Sequence, residues 1–113
     1  MKISYKNTDI YYTTEGNGEV LVLLHGFLHS SNMWNDYKEI WKKSFQVICI
    51  DLPGHGQSGV VKDITITEMA QIVKLICEVE NASKPTIIGH SMGGYTGLAF
   101  VEQFPKSIKK LIL

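Results

Sequence analysis

The stretch Thr86-Ile87-Ile88-Gly89-His90-Ser91-Met92-Gly93-Gly94 decides the reading of this chain. A short apolar run leads directly into Gly-x-Ser-x-Gly, and Tyr95 to Phe104, closed by Pro105, has the pattern of a helix. The order is strand, tight turn, helix. Reversing the chain within one residue forces the serine into a sparsely populated backbone conformation and brings the flanking segments close together. Gly89 and Gly93, without a Cβ, answer that crowding. The turn lifts the Ser91 hydroxyl clear of the sheet and sets it at the amino end of a helix, where N–H groups and the dipole favour developing negative charge. A Gly-x-Ser-x-Gly in this context is a nucleophile elbow, which makes Ser91 the candidate nucleophile. A chance match in a glycine-rich loop would lack both the apolar run and the helix.

Upstream, Val20-Leu21-Val22-Leu23-Leu24 is continuously apolar, as in a strand covered on both faces within a parallel sheet. It ends in the loop His25-Gly26-Phe27-Leu28-His29-Ser30-Ser31, at the carboxyl edge where open α/β sheets bind ligands. Met33, Trp34, Tyr37, Ile40 and Trp41 then repeat at helical spacing behind a cap at Ser31. That spacing predicts a helix packed on the sheet in preference to an aromatic substrate wall. Phe45 to Ile50 is the next strand, ending in the loop Asp51 to Gly59. Thr65-x-x-Glu68 is a capping box opening a helix whose stripe is Met69, Ile72, Val73, Ile76 and Val79. It ends near Asn81, and Pro85 stops any continuation.

At the amino terminus, Lys2 to Lys6 and Asp9 to Thr14 read as an antiparallel hairpin turning at Asn7-Thr8. Ile108 to Leu113 reads as a sixth strand cut off as it begins. The fold class is α/β: a mostly parallel sheet with an amino-terminal antiparallel hairpin and helices on both faces, truncated after the sixth strand. All 113 residues form one domain or part of one.

Eleven basic residues balance eleven acidic ones, and nothing longer than the Lys42-Lys43 and Lys109-Lys110 pairs breaks the pattern, so no footprint for nucleic acid exists. The start, Met1 to Lys6, lacks the apolar centre of a signal peptide, and no apolar run is long enough to span a bilayer. A soluble, cytoplasmic protein without membrane contact is expected. Cys49 and Cys77 sit inside apolar strand and helix patterns with no metal-ligand spacing, and read as buried thiols. No metal and no cofactor are expected.

Three motifs stand in order, each at a strand's carboxyl end: His25-Gly26-Phe27, Asp51-Leu52-Pro53-Gly54-His55-Gly56-Gln57-Ser58, and Gly89-His90-Ser91-Met92-Gly93-Gly94. Together they resemble the amino-terminal half of the α/β-hydrolase fold family, and the match spans essentially the whole chain. The resemblance implies a serine hydrolase acting on a small-molecule ester or similar acyl substrate through an acyl-enzyme at Ser91. It implies that the backbone N–H groups of Met92 and Phe27 form an oxyanion hole, with His25 and Gly26 shaping the loop. In other enzymes such a donor contributes about 3 to 4 kcal/mol to the charged intermediate.

His25 and His90 are not expected to act as base: His90 should project away from the hydroxyl, and His25 resembles the family histidine that braces the loop. His29 and His55 read as loop residues. Asp51 precedes the serine, whereas the family order is Ser, then Asp or Glu, then His, so Asp51 is expected to brace its own turn. After Ser91 the sequence holds one acidic residue, Glu102, and no histidine. Domains of this family run to roughly 200 to 250 residues, so the missing acid and base would follow Leu113 and the chain alone is expected to be inactive.

Two alternatives stand beside this reading. Gly26-Phe27-Leu28 with Trp34 and Asp51-Leu52-Pro53-Gly54-His55-Gly56 is also similar to the menaquinone-pathway synthases that eliminate pyruvate, which are lyases. A haloalkane dehalogenase is disfavoured, since its nucleophile would be aspartate. The other alternative is a non-catalytic module that self-associates, or is completed by another chain, through the open edge at Ile108 to Leu113.

Overall fold

Strand β3, Val20–Leu24, buries Leu21 and Leu23 on one face and Val22 and Leu24 on the other, which is the period-two consequence of a strand covered on both sides. Its neighbour β4, Gln46–Ile50, does the same with Val47 and Cys49 against Ile48 and Ile50. The computed structural model describes all residues, Met1–Leu113. Strands β1 (Lys2–Tyr5), β2 (Thr8–Glu15), β5 (Thr86–Gly89) and β6 (Lys110–Ile112) complete one six-stranded sheet of order β1-β2-β4-β3-β5-β6. The hairpin β1-β2 and the β2-β4 pair are antiparallel; β4, β3, β5 and β6 run parallel. The mixed sheet and its amino-terminal hairpin are those expected from the sequence.

The two faces carry unequal layers. Helices α2 (Ile66–Val79) and α3 (Met92–Gln103) cover the larger core, where Ile72, Val73, Ile76 and Phe100 meet Val22, Ile48, Ile50 and Ile87. The opposite face holds Leu21, Leu23, Val47 and Cys49 under Trp34, with Met33 and Trp41 at the margin. Burial raises the Cys49 thiol to about 11 and that of Cys77 to about 12. The hairpin clamps both ends of α2: Tyr5 Oη and Lys6 Nζ donate to Glu68 at 3.1 and 2.8 Å, and Tyr12 Oη donates to Glu80 at 2.6 Å.

Local details depart from the sequence reading. The hairpin turns at Lys6-Asn7, one residue earlier than expected, and both have positive φ (49° and 61°), as a two-residue turn between right-twisted strands requires. The helical spacing from Met33 to Trp41 divides into a 3-10 turn, Ser31–Trp34, and a short helix α1, Asn35–Trp41. Ser30 rather than Ser31 caps the turn, because its extended backbone lets its hydroxyl accept from Asn32 N–H. Trp34 is buried as expected, whereas Tyr37 and Ile40 are exposed and Tyr37 leans against Trp34 and Trp41. In α2, Thr65 accepts from Glu68 N–H as the box predicts, but Val79 is exposed and the buried stripe widens to Ala70 and Cys77.

Candidate active site

Beside β3 the chain leaves in opposite directions. The loop after β3 leads through α1 to β4 on one side, and the turn after β5 leads through α3 to β6 on the other. The switch of direction therefore falls between β3 and β5 at the carboxyl edge, the position at which open α/β sheets place ligands. His90 N–H donates to Leu24 C=O at 3.0 Å, extending the pairing one residue past β5, so that His25-Gly26 and His90-Ser91 meet at this point.

Ser91 has φ 54° and ψ −114°, a conformation that costs a non-glycine residue on the order of 1 to 3 kcal/mol. It caps α3, which begins at Met92, three residues earlier than the apolar pattern predicts. The crowding expected of the flanking glycines is there. A Cβ on Gly89 would overlap the Gly93 carbonyl, and one on Gly93 would enter the main chain of Leu24 and His25. Ser91 is exposed, and its hydroxyl makes no hydrogen bond within the chain. Beside it lies an open hollow of about 310 Å³ lined by Gly89, His90, Gly94, Tyr95, Leu98 and Leu113.

His25 is fully buried with both ring nitrogens engaged. Leu52 N–H donates to Nε2 at 2.9 Å, which assigns the proton to Nδ1, 2.8 Å from the Gly26 carbonyl. Burial holds its imidazole below the usual value of 6.5, against the pull of the Gly26 carbonyl. A ring so occupied cannot take a proton from Ser91; it braces the loop. His29 N–H also donates to the Gly26 carbonyl, at 3.1 Å. No peptide bond is cis, so the Phe27 N–H lies antiparallel to that carbonyl and faces away from His25. Neither this N–H nor that of Met92, in the first turn of α3, has an acceptor within the chain.

The other histidines also gather here. His55 packs between His25 and Phe27, with ring centroids 5.0 and 5.6 Å away, and its Nδ1 lies 3.0 Å from Pro53 C=O. His90 stacks on His29 at 5.9 Å, on the side of the Gly26 loop. Asp51 braces its turn: Oδ1 accepts from Ser31 N–H at 2.8 Å and Oδ2 from Gln57 N–H at 3.1 Å. A Cβ on Gly56, at φ 53°, would collide with that carboxylate. Ser58, which sequence reading left without a role, donates to the Asp51 carbonyl and accepts from Tyr11 N–H at 2.8 Å. Leu28, named in the sequence only as part of its loop and of the run Gly26-Phe27-Leu28, has φ 64°.

The family described as the alpha/beta hydrolase fold matches residues 19–113. A pimeloyl-[acyl-carrier protein] methyl ester esterase of Nitrosomonas europaea is 31% identical over 104 residues, covering 92% of this chain and 40% of that protein. Among solved structures, a marine microorganism esterase is 35% identical with a TM-score of 0.86, covering 90% of this chain and 40% of that one. An N-acyl homoserine lactone degrading enzyme is 26% identical with a TM-score of 0.96, over 100% of this chain and 44% of that one. The chain spans 29% to 40% of the length of the curated relatives it matches. With the three motifs at the carboxyl edge of this sheet and a family match over most of its length, the chain belongs to the α/β-hydrolase fold family.

Proposed function

We propose that Ser91 is the nucleophile of a hydrolase acting on an ester or similar acyl substrate, and that residues 1 to 113 are the amino-terminal half of one catalytic domain. The observation that carries this reading is the backbone of Ser91, held at φ 54° between β5 and α3 with its hydroxyl exposed and free. Strain of this kind persists where the surrounding structure over-determines it, and it clusters at active sites. Attack on the carbonyl carbon forms the Ser91 Oγ–C bond and moves the π electrons to the carbonyl oxygen. The Phe27 and Met92 N–H groups are the donors free to stabilise that oxyanion. His25 and Gly26 hold the first of these donors in place. The names of the relatives support ester chemistry on a small molecule.

The attack also needs a base for the hydroxyl proton. Within these residues His25 is engaged on both nitrogens, His55 Nδ1 faces Pro53, and no histidine bonds to Ser91. The chain by itself is therefore a poor catalyst. The exposed Ile112 and Leu113 at the β6 edge favour completion of the sheet there by a further segment or a second chain. Exposure to a fluorophosphonate probe at neutral pH, followed by peptide mass spectrometry, tests both parts. Slow labelling confined to Ser91 is expected. Rapid labelling without added base would refute the inactivity, and a label on another residue would refute the assignment of Ser91. No helix is long and apolar enough to cross a membrane.

A further inference from the structure

We propose that Leu28 is a specificity-determining residue of the Ser91 crevice, part of an apolar rim that selects esters with an uncharged apolar acyl group over esters whose acyl group ends in a carboxylate. This rests on the hydrolase reading above and names the substrate class for it.

Gly26 to His29 is a four-residue turn closed by the His29 N–H to Gly26 C=O bond at 3.1 Å. Leu28 occupies its third position at φ 64° while Phe27 keeps a negative φ, the type II arrangement in which that position favours glycine. Leucine has no polar side chain to offset the left-handed backbone as asparagine does. Nor does packing within the chain favour it: Leu28 is 79% exposed, and Phe27 before it is 63% exposed. An unfavourable backbone and an uncovered apolar side chain thus coincide in the loop whose Gly26 stands so near the elbow that an added Cβ would lie 3.4 Å from the Ser91 Cβ. Strain kept at such a position points to use.

The surroundings set the chemistry. Tyr95 and Leu98 on α3 are also exposed, and with Leu113 they give the hollow beside Ser91 its apolar wall. The sequence contains no arginine, and none of its eleven lysines falls within residues 25–31, 51–59 or 89–98, the segments that build this edge. A carboxylate entering the crevice would lose water with no cation to meet it, whereas each methylene laid against the rim gains from burial.

The test titrates the chain at pH 8 with methyl butanoate, hexanoate and octanoate, and with monomethyl esters of dicarboxylic acids of equal length, read by amide NMR shifts at Phe27, Leu28 and Tyr95. The neutral series should tighten by about threefold to fourfold per buried methylene, and the acid-ended esters should bind roughly tenfold or more weakly. Leu28→Gly should flatten the chain-length dependence and Leu28→Met keep it, with an unlowered thermal midpoint for Leu28→Gly showing that the fold is intact. Equal binding of the two series, a Leu28→Gly variant with unchanged dependence, or no binding of any ester would overturn the proposal. Covalent labelling of Ser91 is a separate readout: a chain that binds the neutral series but is never phosphonylated at Ser91 defeats the hydrolase reading and leaves the rim standing.

Discussion

Gly26 and Ser91 are held so close that a Cβ added to the glycine would lie 3.4 Å from the serine Cβ. The same atom would lie 2.8 Å from His90 Cδ2, so the imidazole would have to leave its stack on His29. Gly26→Ala is therefore expected to cost about 1 to 2 kcal/mol and to move the ring resonances of both histidines. Proton NMR and urea unfolding measure the two effects. Unmoved resonances would mean that the loop does not press on the turn.

Gly93 differs in what it meets. Its Cβ would enter the main chain of Leu24 and His25, which cannot rotate away, whereas a Cβ on Gly94 meets the end of the Leu113 side chain at 3.3 Å. Gly93→Ala is expected to destabilise by about 3 kcal/mol, since backbone must move. Gly94→Ala should fall within about 1 kcal/mol of neutral, its contact offset by the helix propensity of alanine. Equal urea midpoints for the two variants would contradict this account of the turn.

Burial of His25 gives stability a direction with pH. The native imidazole binds its proton below 6.5, the unfolded one near 6.5, so across that window the unfolded chain holds more protons and stability rises with pH. Above the window the contribution is complete; it is lost as pH falls through the native value. His25→Leu removes the slope and leaves the Leu52 N–H buried without its acceptor, at a cost of about 1 to 3 kcal/mol. It also frees the Gly26-Phe27 peptide, so residual Ser91 labelling should drop further. Urea unfolding between pH 5 and 8 decides: a slope unchanged by His25→Leu would assign it elsewhere.

The sheet and the three loops were legible because they rest on periods and glycines. Continuous apolar strands, a helical stripe and a tight turn each leave a pattern that no other arrangement explains. The bracing of the loops by His25 and Asp51 was expected from the family resemblance and not from the residues themselves, since their partners, Leu52, Ser31 and Gln57, donate through backbone N–H groups and leave no mark on residue type. What stayed hidden depends on single dihedrals. Lys6 and Leu28 adopt positive φ without being residues that advertise it, and the choice of Ser30 over Ser31 as cap turns on one extended backbone. The exposure of Tyr37 and Ile40 was hidden for another reason: helical spacing identifies a face but not whether the chain supplies anything to cover it.

On the proposed reading, Ser91, strained and exposed, lacks only a proton acceptor, and about 310 Å³ of open space at its side is ample for a small heterocycle. Added imidazole should therefore accelerate phosphonylation of Ser91, with a rate that follows the concentration of its neutral form and so rises with pH through the imidazole titration. 1-Methylimidazole, of nearly the same basicity but bulkier, should be less effective if the hollow holds the base, and equally effective if catalysis occurs from bulk solvent. Leu98→Phe, which fills the hollow's wall, should suppress the imidazole effect, read as the ratio of labelling rates with and without imidazole in the same variant. An imidazole response that survives Leu98→Phe, or none in the native chain, would show that the space beside Ser91 does not serve a base.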